Sequence, residues 1–80
     1  MDLNFTIYGK ENCGYCKRAL AWMEKHDHSY EYISLDNQAA LTEFKQANPT
    51  ARTVPQIFVE KDGDVKHIGG YTDLVAEYGS

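Results

Sequence analysis

Cysteine, proline and tryptophan are scarce in these 80 residues, with two, two and one of each. Two cysteines cannot form the disulfide framework that holds a small secreted domain together. No run approaches the ~18 apolar residues of a membrane span, so no membrane partner is expected. The first residues, Met1-Asp2-Leu3-Asn4, lack the basic and apolar regions of a signal peptide, and a cytoplasmic address is the default. Positive charge is in deficit: 8 Lys and Arg against 12 Asp and Glu give a net charge of −4. That balance argues against nucleic acid or an anionic surface as partner. No repeat, linker or low-complexity segment is present either, and residues 1–80 read as a single domain. With 42% hydrophobic and 25% charged residues, the composition is that of an ordinary globular chain. At this length only about two-thirds of the unfolded surface can be buried, so every element must serve one core.

Period-2 alternation of Leu3, Phe5 and Ile7 with Asn4, Thr6 and Tyr8 predicts a strand ended by Gly9. From Gly14 to His26 the spacing turns helical, with Cys16, Ala19, Leu20 and Met23 on one face. The polar stretch His26-Asp27-His28-Ser29 reads as its solvated end. Tyr30 to Leu35 is rich in strand formers. Asp36 or Asn37 can cap a second helix carried by Leu41, Phe44 and Ala47, which Pro49 stops. Gln56–Glu60 and Val65–Ile68 flank Lys61-Asp62-Gly63-Asp64, and Asp-Gly between apolar runs predicts a hairpin. After Gly69-Gly70, a last helix runs from Tyr71 to Tyr78 with Leu74, Val75 and Tyr78 inward. The order β-α-β-α-β-β-α requires a parallel pair from the first strand-helix-strand unit. The hairpin extends the same sheet, giving an α/β fold with a mixed four-stranded sheet and three helices.

The chemistry lies in Cys13-Gly14-Tyr15-Cys16. Cys13 falls where a loop turns into a helix, so the unpaired N–H groups and helix dipole favour its thiolate. Lys10, Lys17 and Arg18 add positive charge, while Glu11 opposes them. Thiols so placed have pKa values roughly 1–5 units below the free value. Residues three apart on the first turn lie within disulfide reach. This makes Cys13 the exposed nucleophile and Cys16, on the inward face, the resolving thiol. Half of a zinc site is the competing reading, but there is no second cysteine pair, and His26 and His28 lie at the helix end. No metal is expected. Two inert buried cysteines fit a helix start poorly.

Two further segments are ambiguous alone. Thr53-Val54-Pro55 can be a plain strand-entry proline, since only ~5% of X-Pro bonds are cis, and Gly69-Gly70 a hairpin exit. Together with the cysteine pair they resemble the glutaredoxin family of the thioredoxin fold. The resemblance rests on Ile7-Tyr8-Gly9-Lys10, Cys13 to Arg18, Thr53 to Val59 and His67 to Leu74, in the right order over nearly the whole chain. It implies a thiol–disulfide oxidoreductase that reduces protein disulfides and glutathionylated cysteines, with glutathione as co-substrate and no tightly bound cofactor. It further implies a cis Val54–Pro55 bond, letting the Val54 backbone pair with the glutathione cysteinyl residue like an added strand. Lys10 and Arg52 would meet the glycine carboxylate of glutathione, and Tyr15 would wall the sulfur site beside Thr53. Gly70, Thr72 and Asp73 would take the γ-glutamyl end, whose carboxylate suits a helix N-terminus. A monomer is expected, with ribonucleotide reductase a candidate protein partner.

Gly14 stands where many dithiol glutaredoxins have proline, which removes a rigid first helical residue. Some members with glycine there hold a [2Fe–2S] cluster between two subunits, but the dedicated cluster class resembles C-G-F-S and lacks the second cysteine. A glutaredoxin-like electron donor for ribonucleotide reductase, reduced by thioredoxin reductase, is the other alternative. The matches at Lys10, Tyr15 and Thr72-Asp73 favour glutathione over it.

Overall fold

The computed structural model describes residues 3–80; Met1 and Asp2, part of the N-terminal reading, lie outside them. The elements follow the predicted order: β1 (Asn4–Gly9), α1 (Gly14–Lys25), β2 (Ser29–Ser34), α2 (Gln38–Ala47), β3 (Gln56–Lys61), β4 (Asp64–Gly69) and α3 (Tyr71–Tyr78). The strands lie in the order β2-β1-β3-β4. β1 and β2 are parallel, as their helical crossover demands, and β3 and β4 add antiparallel neighbours. The hairpin closes on Asp62 and Gly63, both with positive φ (54° and 86°). Two such residues form the turn whose twist matches that of the strands.

Alternation along β1 buries Phe5 and Ile7 on one sheet face, and Ile57 and Val59 of β3 join them. Ala19, Trp22 and Met23 of α1 and Leu74 of α3 close that layer. Trp22 and Tyr78 meet Phe5 edge-on at 5.8 and 5.7 Å, the favoured geometry for aromatic quadrupoles. On the opposite face Tyr8 packs against Phe44 of α2 at 4.7 Å. Among the described residues no helix is long and apolar enough to cross a membrane.

Several sequence expectations shift. The buried stripe of α1 includes Trp22, while Leu20 is half-buried. Only Phe44 of α2 is buried; Leu41 is half-buried and Ala47 exposed. The cap of α2 is Asn37, whose side chain accepts the Ala40 N–H at 3.1 Å. In the stretch after α1, His26, Asp27 and Ser29 are exposed as expected, but His28 is half-buried between Phe5 (5.0 Å) and Trp22 (5.2 Å), and the His26 ring lies against Trp22 at 4.5 Å. A large indole needs more cover than a helix end supplies, and the two imidazoles provide it.

The topology also gathers three distant loops. Tyr8 pairs with Gln56 and Ile57 with Gly69, so the end of β1, the start of β3 and the end of β4 meet at one edge of the sheet.

Candidate active site

Cys13 is the N-cap of α1, in extended conformation, and its Sγ accepts the Cys16 N–H at 3.1 Å. A capping atom normally satisfies one of the four orphan N–H groups of a helix start. Here the capping atom is sulfur, so the same N–H stabilises a thiolate once the pair is reduced. The two cysteines form a disulfide across one turn, with Cα atoms 5.2 Å apart. Cys13 is half-buried and Cys16 is 1% exposed, so only the Cys13 sulfur is open to an incoming thiol.

Gly9 makes room for the inner sulfur. A Cβ at this position would lie 2.8 Å from Cys16 Sγ and would also meet the Tyr32 ring. Gly14 differs, since a Cβ there meets nothing within 4 Å and the space beside Cys13 stays open.

The predicted segments converge on Cys13. The Val54–Pro55 bond is cis, and the Val54 carbonyl oxygen lies 3.8 Å from Cys13 Sγ. In the disulfide this sulfur carries no proton, so the approach is a contact rather than a hydrogen bond. A cleft of about 300 Å³ opens beside it. Thr53, Val54 and Pro55 form one wall, Gly70, Thr72 and Asp73 the other, with Tyr15 at the end. Tyr71, quoted in the sequence only as part of a motif, also lines the cleft and stacks on Tyr15 at 6.2 Å. Arg18 sits 5.1 Å from the Tyr15 ring centroid, within cation–π range.

Lys10 and Arg52 border a smaller cavity of about 80 Å³ on the other side of Val54. Lys45, which no sequence motif singles out, joins them; its Nζ donates to Ala51 O at 3.1 Å. Its position on α2 carries no local motif, and only the packing of α2 brings it here. Tyr32 donates its hydroxyl proton to Lys10 O at 3.3 Å. Burial, and then the Asp36 carboxylate, hold its phenol above the usual value.

Asp73 already has a role in the fold. Its Oδ2 accepts the Gly70 N–H at 2.9 Å, closing the first turn of α3 from within. Among the described residues no three His, Cys, Asp or Glu side chains converge as a metal site would require.

Known proteins resemble this chain in sequence and in fold. The glutaredoxin family model matches residues 5–65. Glutaredoxin 3 of Escherichia coli K12 is 41% identical over 73 residues, which cover 91% of this chain and 83% of that protein. Glutaredoxin 1 of the same organism is 40% identical, with 89% and 87% covered. Among solved structures, glutaredoxin 1 from Francisella tularensis complexed with cacodylate superposes with a TM-score of 0.75 at 30% identity, covering 94% of this chain and 91% of that one. The buckwheat glutaredoxin–glutathione complex gives 0.70 at 28% identity, with 92% and 66% covered.

Proposed function

The chain belongs to the glutaredoxin family and is a thiol–disulfide oxidoreductase, and on that premise we propose that glutathione is the thiol that reduces it. The observation that carries this reading is the cleft between Val54, whose carbonyl oxygen lies 3.8 Å from the Cys13 sulfur, and the α3 N-terminus. A tripeptide with a carboxylate at each end and a thiol in the middle suits such a site. Its cysteinyl backbone would pair with Val54, and its γ-glutamyl carboxylate would meet the N–H groups at Thr72 and Asp73. The γ-glutamyl ammonium would lie against Asp73. Lys10, Arg52 and Lys45 offer positive charge to the glycine carboxylate. The complex of buckwheat glutaredoxin with glutathione supports the assignment by analogy.

The exchange runs in balanced steps. The Cys13 thiolate attacks one sulfur of a target disulfide, whose S–S bond breaks and releases a thiolate. Cys16 then attacks the Cys13 sulfur, freeing the second target thiol and closing the Cys13–Cys16 disulfide. One glutathione thiolate opens that disulfide at Cys13 and releases Cys16. A second removes the bound glutathione as glutathione disulfide and restores the Cys13 thiolate. On a glutathionylated protein, attack at the glutathione sulfur needs Cys13 alone. No further cofactor enters, and one copy of the chain supplies both cysteines and the cleft, so a monomer suffices. The targets are disulfide-bearing and glutathionylated proteins, with ribonucleotide reductase a candidate among them, in a reducing compartment such as the cytoplasm.

The test is turnover with glutathione as the only reductant, against NADPH with thioredoxin reductase. Glutathione should support turnover; activity confined to the second system would overturn the proposal. Cys13→Ser should abolish both activities. Cys16→Ser should spare deglutathionylation and weaken reduction of protein disulfides, and equal loss in both would contradict the division of roles.

A further inference from the structure

Gln56 is the buried polar side chain of the described core, 6% exposed, and both ends of its amide are occupied. Nε2 donates to Thr53 O at 2.7 Å and approaches Thr53 Oγ1 at 3.2 Å. Oε1 lies 2.7 Å from His67 Nε2. These partners fix the orientation of the amide. A backbone carbonyl only accepts, so the NH₂ end must face Thr53, and Oε1 is left for His67. His67 Nε2 therefore carries a proton. The imidazole is itself held flat on Phe58, with ring centroids 4.6 Å apart and planes 27° apart.

The chain His67–Gln56–Thr53 ends on a peptide that the catalytic cycle uses. In a trans peptide the C=O and the following N–H point in opposite directions within one plane. Holding Thr53 O inward therefore sets where the Val54 N–H points. Val54 lines the cleft, and its N–H takes no partner among the described residues. We propose that Gln56 is a positioning residue for glutathione binding. It holds the Thr53–Val54 peptide so that the Val54 N–H faces the incoming cysteinyl backbone, and His67 holds Gln56 from outside. This inference rests on the proposed use of glutathione for its ligand. Gln56 touches neither the reacting sulfurs nor the ligand, so its effect should fall on binding and not on Cys13 chemistry.

The experiment compares Gln56→Met and His67→Phe with the parent in glutathione-dependent reduction of a glutathionylated peptide. The rate of Cys13 alkylation by iodoacetamide and the urea midpoint are measured alongside. Methionine keeps the volume of Gln56 but cannot donate. His67 is exposed, and phenylalanine keeps its stacking on Phe58, so this second variant keeps the fold. Gln56→Met should raise KM for glutathione roughly tenfold, the scale of one lost buried hydrogen bond. His67→Phe should raise it about threefold, having lost only the outer hydrogen bond. In both, kcat and the alkylation rate should stay within about twofold, a split that general loosening of the fold would not give. The inference is overturned if either folded variant keeps the parent KM, or if kcat and alkylation fall in step with it. If the parent itself shows no turnover with glutathione, the functional proposal fails and this inference with it. Parent turnover with unchanged KM in the variants sinks the Gln56 role alone.

Discussion

Asp73 Oδ2 holds the Gly70 N–H at 2.9 Å, so one carboxylate both closes the first turn of α3 and borders the cleft beside Cys13. Two substitutions separate these roles. Asparagine can still accept the Gly70 N–H, so Asp73→Asn should lose only the charge–dipole contribution, about 0.5 kcal/mol in urea unfolding. Its KM for glutathione should nevertheless rise, because the ammonium loses its partner. Asp73→Leu removes the cap as well and should cost a further ~1 kcal/mol. An unchanged KM in Asp73→Asn would remove Asp73 from the binding site while leaving its place in the helix cap.

Gly9 gives a packing prediction. An alanine Cβ would lie 2.8 Å from Cys16 Sγ, inside van der Waals contact, against a sulfur that is itself buried. Gly9→Ala should therefore destabilise the protein by roughly 1–3 kcal/mol, the usual cost of overpacking a core. The methyl group would press on the Tyr32 hydroxyl and on the resolving sulfur, so reduction of protein disulfides should suffer more than deglutathionylation. Urea unfolding with the two activities side by side checks both halves; a parent-like midpoint would mean that α1 shifts to accommodate the methyl group.

Alkaline pH should weaken the fold through its tyrosines. The Tyr32 phenol is held up by burial and by Asp36, and that of Tyr78 by burial and then Glu77. Below the ordinary tyrosine value both groups are protonated in folded and unfolded chains, and neither affects the pH slope. Above it the unfolded chain loses protons that the folded chain keeps, so stability falls as pH rises toward the raised folded values. Urea unfolding between pH 8 and 11 should show this decline, and Tyr32→Phe should make it shallower. An identical decline in the variant would remove Tyr32 as a source.

Much of this was legible because the relevant signals are local. Phe5 and Ile7 alternate with polar neighbours, Asp62-Gly63 supplies a two-residue turn, and Cys13 precedes a helical pattern. Each is read from a few adjacent residues, and each fixes a backbone conformation. What escaped depends on packing between elements. Trp22 sits beside Met23 at the edge of the helical stripe, and only the docking of Phe5, His26 and His28 decides that the indole is covered. Lys45 reaches the site because α2 crosses there, and no spacing in Leu41-Thr42-Glu43-Phe44-Lys45 announces it. Gln56 reads as the first residue of a strand, and its contact with His67, which fixes the far end of the amide, exists only once β3 and β4 have paired. The segments of the cleft carry a family resemblance and no local signal of their own. From residues alone, Thr53-Val54-Pro55 and Gly69-Gly70 kept their plainer readings.

The cleft draws on Tyr15, residues 53–55 and residues 70–73, brought together only by strands that are neighbours in space and remote along the chain. The redox pair by contrast needs no more than one turn of helix. The redox pair and the cleft therefore depend on different parts of the fold. A fragment ending after α1 would still carry two thiols able to exchange with any disulfide they met. On the proposed glutathione reading, discrimination among thiols needs the second wall of the cleft, which α3 supplies. A partly unfolded molecule would thus be an indiscriminate thiol donor, and the tightness with which α3 is held sets how rarely the protein takes that form.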